Sequence, residues 1–477
     1  MKYCKLINTI AIVVLFLAFN ACNKNPKERT DLIDNTTFRV ILNPYKTVPL
    51  AFQVEFSLNE NGNLQVSNLS TNATLFNSNL SAGNHKIDLL GLLPATANEL
   101  QFTFTSLKNS DFQNVAESIT TAALPNHFPE TNISKGTFNG EMLINFNHSL
   151  DTALIARPYA FNNNGEIVWY FEPEIENGAI VPMELLENGN LFYGNRTNIY
   201  ELTFAGKKVD SFSTAPYFLH HDIIELQDGN FAAASTINVN AQQFDAITIV
   251  DRNTKQVAYN IDLKEILDWN RNVISGNPND RFHVNSVWQD KNDGNLIVSA
   301  RHQGIFKIDL NGNLIWILAT HLGWQTELDS FLLTPINTSG TVYEENILEG
   351  HLSAEDFDYA WTQHSAMLLN NGNLACFDNG FYRNYILNGP FFSRAVEFEI
   401  DEQMMTVKQV WQYGKELGED FLSEIVGDVD EVGNEILILS GINRNGNESK
   451  AMIHQVEKQS NTTTLEIDLN FKNVDSS

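Results

Sequence analysis

The chain has 477 residues, 43% of them hydrophobic and 18% charged, the composition of a globular protein with more chain than one ordinary core serves. Its 58 acidic residues against 30 basic ones leave a formal net charge of -28. That balance excludes nucleic-acid binding through phosphates and loose attraction to an anionic membrane surface, and an anionic ligand needs a local positive pocket.

In chain order, Lys2 and Lys5 precede an apolar stretch from Ile10 to Phe19, too short to span a bilayer, which reads as an export signal over residues 1–21. The sequence Phe19-Asn20-Ala21-Cys22 resembles a bacterial lipoprotein processing site, so Cys22 is the expected lipidated first residue of an exported, membrane-anchored protein on the periplasmic or outer-membrane face. The other reading is a plain secretory signal cut nearby. Residues 22–37, largely polar, are expected to form a tether. Of the three cysteines, Cys4 leaves with the signal, Cys22 carries lipid, and Cys376 stands alone in an apolar run, so no intramolecular disulfide is available.

Residues 38–130 read as a small β-sandwich. Phe38, Val40 and Leu42 alternate, as do Phe52, Val54 and Phe56, and later Leu100, Phe102 and Phe104, with turn chemistry at Asn61-Gly62 and Gly83-Asn84 between them. From 131 to 477 one phrase recurs: Asn188-Gly189-Asn190-Leu191, Asp228-Gly229-Asn230-Phe231, Asp293-Gly294-Asn295-Leu296, Asn371-Gly372-Asn373-Leu374, and a degenerate Val432-Gly433-Asn434-Glu435. A second phrase ends in Trp169, Trp316 and Trp411. Two hairpins per unit make four-stranded sheets, and such sheets set radially make a propeller. Six units are expected, at about 136–176, 177–214, 215–265, 282–320, 362–415 and 421–472. The stretches 266–281 and 321–361 are then long insertions, where function tends to sit. The fold class is all-β: a six-bladed propeller preceded by a small sandwich.

The repeat also locates chemistry. His221 precedes Gly229 by eight positions and His364 precedes Gly372 by eight, so both open the first strand of a blade. His283 begins the equivalent strand between them, offset by a longer turn, and Arg301 lies six positions beyond Asn295. First strands line a propeller's axis, so these four side chains are expected to meet in one funnel. His220, Arg196, His302 and His321 lack this combined support and carry no assigned role. Three histidines also make a set for zinc or copper, but Arg301 in the same funnel repels a cation, and no metal is assigned. A non-catalytic, surface-anchored module binding glycan or protein is the remaining alternative.

The ordered motifs His220-His221-Asp222-Ile223, His283-Val284-Asn285-Ser286-Val287, Ser299-Ala300-Arg301, Gln363-His364-Ser365-Ala366, Phe377-Asp378-Asn379-Gly380, Ser393-Arg394-Ala395-Val396-Glu397-Phe398 and Val407-Lys408-Gln409-Val410-Trp411 resemble those of the bacterial arylsulfotransferases. The resemblance covers roughly 140–450. It implies a six-bladed propeller behind a β-sandwich, and transfer of sulfate from a phenol ester to another phenol through a sulfated histidine, with no nucleotide and no cofactor. By motif position, His364 corresponds to that nucleophile. His221, His283 and Arg301 correspond to residues that hold the sulfuryl oxygens and manage the proton, with Asn285 a further donor. The implied partners are small aryl sulfates and phenols; a homodimer is left open. Members of the family carry a disulfide close to the nucleophile, and this chain has no cysteine pair to make one. How its active-site loop is held is therefore an open question.

Overall fold

Each Gly-Asn phrase closes a hairpin because its glycine takes a left-handed conformation that a side chain resists. Gly189, Gly229 and Gly372 have φ of 84°, 84° and 85°, and each donates its N–H to the leucine three residues back at 2.8–3.0 Å. The flanking apolar residues then pair as antiparallel strands. In the computed structural model, residues 4–7, 26–140, 142–146, 157–173, 180–237, 245–272, 274, 279–389, 391–445 and 448–471 are described.

Six successive sheets follow the sandwich. The first pairs Cys4–Ile7, Met142–Phe146, Pro158–Phe161 and Ile167–Tyr170. The inner strands of the next five are Ile180–Leu185, Phe218–Glu225, Val284–Gln289, His364–Leu368 and Gly427–Val432. Consecutive members of this series are neighbours, and Gly427–Val432 lies beside Cys4–Ile7. Each expected unit holds strands of one of these sheets, and Cys4–Ile7, Thr334–Pro335 and Glu130–Lys135 join three of them from outside the expected bounds. Their faces pack blade on blade: Phe192 and Ile199 against Ile223 and Phe231, Ala232 and Ile249 against Val287 and Phe306, Ile297 and Trp316 against Cys376 and Phe398, and Phe377 against Val429 and Ile438. The sixth sheet takes Glu130–Lys135 on its outer edge, antiparallel to Thr462–Phe471, so chain from before the first blade finishes the last.

The sandwich has a three-stranded sheet (Arg39–Leu42, Phe52–Leu58, Gly83–Leu89) and a four-stranded one (Ala73–Leu80, Gly62–Asn68, Ala97–Ser106, Phe112–Thr120). Their inner faces meet through Val54, Phe56, Leu64, Val66, Phe102 and Phe104. It docks on the propeller through Val48 and Ala51, which share a cluster with Trp169, Met183 and Leu202.

Residues 26–37 are not a free tether: Leu32 and Ile33 are buried in the sandwich core, and both backbone N–H groups donate to Gln113 Oε1 at 2.9 and 3.2 Å. Two apolar residues in a polar run are enough to dock it. Residues 4–7, assigned to the signal, form the inner strand of the first sheet; a chain processed before Cys22 keeps the other three strands there. Cys22 itself lies outside the described residues. Among the described residues no helix is long and apolar enough to cross a membrane.

Candidate active site

The inner strands are irregular at their starts. Pairing slips between Leu219 and Ile223, between Val284 and Ser286, and between His364 and Met367. His221 and Ser365 sit within these slips and His283 just before one, with φ of 51°, 53° and 53° in that order for His221, Ser365 and His283, conformations that bulky residues adopt only when the surroundings hold them there. Below the bulges a layer of buried polar groups ties neighbouring blades. Asp222 Oδ2 accepts from Val287 N at 2.8 Å, Ser286 Oγ accepts from Ala366 N at 3.0 Å, and Ser365 Oγ donates to Asp428. Counting along the paired strands, this layer aligns Asp222, Ser286 and Ser365, so His221 and His364 share a register with Asn285 rather than with His283. His283 lies two residues earlier and reaches the cluster through its own bulge. The expected register for it was therefore off, although its expected company was right.

His364 is 2% exposed, and its Nδ1 lies 2.6 Å from Asn379 Oδ1. The amide orientation follows from the neighbours: Asn379 Nδ2 donates to the carbonyls of Ser423 and Val426, both at 2.9 Å. Two carbonyls can be met only by an NH₂ group, so Oδ1 must face His364 and accept. His364 therefore carries its proton on Nδ1 and keeps a lone pair on Nε2. Burial, then the Arg301 guanidinium, hold the ring's pKa well below the ordinary histidine value. It is a neutral imidazole at pH 7.

The strand paired with the one that bears His364 ends in a buried charge network. Asp378, at 0% exposure, accepts from Trp361 N at 2.8 Å, from Arg383 Nη2 at 2.8 Å and from Arg394 Nε at 2.8 Å. Arg383 also pairs with Asp358, whose carboxyl burial works to raise but Arg383 and Arg394 hold below the ordinary value. Asp358 and Trp361 come from the 321–361 insertion, so this network ties it to the end of Leu374–Asp378, next to Asn379, and to the start of Arg394–Asp401. Cys376, buried and unpaired, only fills core there. On the other side, Asn285 is fully buried and its Nδ2 donates to Gln363 O at 2.7 Å. That bond steadies the residue before His364.

The remaining imidazoles cluster. The His221 and His283 ring centroids are 4.8 Å apart, and those of His283 and His302 are 5.2 Å apart. His220 Nδ1 lies 3.0 Å from His221 Nδ1. His283 Nδ1 lies 2.6 Å from Asp280 Oδ2, and His302 Nδ1 lies 3.0 Å from the Asp280 carbonyl. Arg301 N donates to His283 O at 3.0 Å, while its Nη2 donates to Glu424 O at 3.2 Å. Asp280, His283 and His302 bring one ligand-type atom each within 4.8 Å of one another, a spacing a metal also uses. Here the His283–Asp280 hydrogen bond joins two of the three, and the adjacent half-buried Arg301 opposes a further cation, so no metal is assigned.

Burial also holds His220 down to about 3 and His302 down to about 4. In the unfolded chain each such ring takes a proton near pH ~6.5. Below that pH the unfolded state binds more protons than the folded one, so stability falls as pH falls, by up to about 1.4 kcal/mol per histidine per unit until the folded-state value is reached. The thermal midpoint should decline from pH 6.5 to 5. A flat profile across that window would show these rings titrating in the folded protein.

A family model described as arylsulfotransferase matches residues 124–476, and one described as arylsulfotransferase Ig-like domain matches residues 39–123. The chain belongs to the arylsulfotransferase family. Two curated members, each named arylsulfate sulfotransferase AssT, are similar in part. That of Escherichia coli is 42% identical over 154 residues and that of Lelliottia amnigena 42% over 151. Either alignment covers 31% of this chain and 25% of the relative's length. A solved structure of a Bacteroides caccae protein of unknown function is 11% identical with a TM-score of 0.36, over 75% of this chain and 95% of that one, and carries no argument.

For a member of this family, the structure brings His221, His283, Arg301 and His364 into one neighbourhood. His302, left without a role in the sequence, joins them. His321 does not: its Nε2 meets Leu333 O at 3.0 Å in the second insertion. Arg196 is exposed. Asp280 and Asn379 went unassigned. Asn379 stood inside a motif already singled out, and Asp280 lay three residues before His283; in both, only the tertiary contact reveals the role.

Proposed function

We propose that this protein moves a sulfuryl group from a phenolic sulfate ester to a phenolic acceptor, in two steps through a sulfohistidine at His364. The observation that carries the reading is the state of that residue: buried, neutral, with Nδ1–H committed to Asn379, the lone pair left on Nε2, and the ring within the field of the Arg301 guanidinium. In the first step Nε2 forms a bond to sulfur while the bond from sulfur to the phenolic oxygen breaks. The positive charge that the ring gains is met by the Asn379 carbonyl oxygen. As in phosphoryl transfer, charge spreads over the equatorial oxygens, where a fixed guanidinium and imidazole donors supply most of the rate. Arg301 keeps its charge throughout and offers a planar fork. The departing phenolate takes a proton from an imidazolium, and the same imidazole later removes one from the incoming phenol as it attacks sulfur. His364 then leaves neutral, as it began.

The assay is direct. With 4-nitrophenyl sulfate, phenol and no nucleotide, the protein should release 4-nitrophenolate and form phenyl sulfate. Anchored by a lipid on Cys22, the activity should sediment with membranes and become soluble in Cys22→Ser. A folded protein that turns over no aryl sulfate would be a binding module instead.

A further inference from the structure

His221 and His283 are both placed to handle the proton, and their surroundings differ. His221 Nδ1 faces the Nδ1 of His220 at 3.0 Å, and His220 is a fully buried ring that stays neutral. An imidazole neighbour of that kind does little for a positive charge. His283 Nδ1 faces a carboxylate at 2.6 Å, with side-chain exposure of 16% for the imidazole and 10% for Asp280. A carboxylate only accepts, so the hydrogen must sit on His283 Nδ1, which leaves Nε2 as the site that gains and loses a proton. The backbone around the pair is pinned as well: the Asp280 carbonyl accepts from His302 Nδ1 at 3.0 Å, and Arg301 N donates to His283 O at 3.0 Å. Other charged or titratable groups facing His283 include His220, His221, His302, Arg301 and His364. Of these, Arg301 disfavours an imidazolium, so a buried counter-charge on the far nitrogen is what offsets it.

We infer that Asp280 is a positioning residue that fixes the His283 tautomer and makes His283, not His221, the proton carrier of both half-reactions, suiting the site to esters of weakly acidic phenols. The inference rests on the proposed sulfuryl transfer and names its donor class. As the S–O bond breaks, His283 Nε2–H gives its proton to the phenolic oxygen and the ring becomes neutral, with Asp280 still holding Nδ1–H. In the second half-reaction the neutral Nε2 takes the proton of the acceptor phenol, restoring the imidazolium paired with Asp280. Proton help matters most when the departing phenol is a weak acid; a nitrophenolate leaves with little.

The test compares donors in the full chain. For Asp280→Asn, kcat/KM for phenyl sulfate should fall roughly 10²-fold or more, the range of a lost general acid, while 4-nitrophenyl sulfate should lose less than about 10-fold. His283→Gln should show the same dependence on the leaving group, and adding Asp280→Asn to it should change nothing further, since both act as one unit. Sulfation of His364 by 4-nitrophenyl sulfate in each variant serves as the check on folding. Equal losses with both donors, or additive losses in the double variant, would overturn the positioning role and leave Asp280 a structural residue. If His221→Gln and not His283→Gln steepened the leaving-group dependence, the assignment would pass to the other histidine. A wild-type protein inert toward both esters would instead sink the transfer reaction itself.

Discussion

Replacing His364 with alanine should remove sulfuryl transfer almost entirely, by a factor on the order of 10⁴–10⁶, because the ring that would carry the group is gone. His364→Asn should be as inactive, since an amide nitrogen has no lone pair to offer sulfur. Arg301→Lys should behave differently. It keeps a positive charge but loses the fork, and a loss of about 10²–10³ is in line with removing one preorganised donor. Steady-state turnover of 4-nitrophenyl sulfate with phenol measures all three. Residual activity in His364→Ala comparable to that of Arg301→Lys would show that His364 assists the reaction without carrying the group.

The second large effect is on stability. Asp378→Ala should leave the guanidinium groups of Arg383 and Arg394, 8% and 1% exposed, without the carboxylate they share, and Trp361 N without its acceptor. Breaking a buried ion pair from one side costs about 3–5 kcal/mol, so the thermal midpoint should drop by several degrees. Because Trp361 leads directly into Gln363 and His364, transfer should weaken in the protein that remains folded. An unchanged midpoint would show the cluster to be dispensable.

Much of this architecture was legible because the blades announce themselves locally. A left-handed glycine between apolar strands is a short-range requirement, so Gly189, Gly229, Gly294 and Gly372 mark hairpins whatever the rest of the chain does. By strand pairing, His221 and His364 occupy the same register of their blades. The repeat misled for His283, since a bulge inserts residues into a strand without any composition that signals it; by pairing, Asn285 occupies that slot. The docking of Leu32 and Ile33 was hidden for a related reason: a mostly polar run reads as solvated until its two apolar residues find the sandwich. The charge network next to Asn379 joins Asp358, Asp378, Arg383 and Arg394 from three strand and insertion segments, and four separated charges look like ordinary surface residues in a sequence. Asn379 and Asp280 were unreadable in the same sense. Each acts by completing another residue's hydrogen bond, which depends on the folded contact alone.

The central claim is that the sulfuryl group rests on His364 between donor and acceptor. Incubating the wild-type protein with 4-nitrophenyl sulfate and no phenol, then mapping its peptides by mass spectrometry under conditions that preserve N–S bonds, tests it most directly. The account predicts one burst equivalent of 4-nitrophenolate and one sulfuryl group on the peptide containing His364, removed when phenol is added. A protein that transfers sulfate only when both substrates are present, with His364 never labelled, would contradict it.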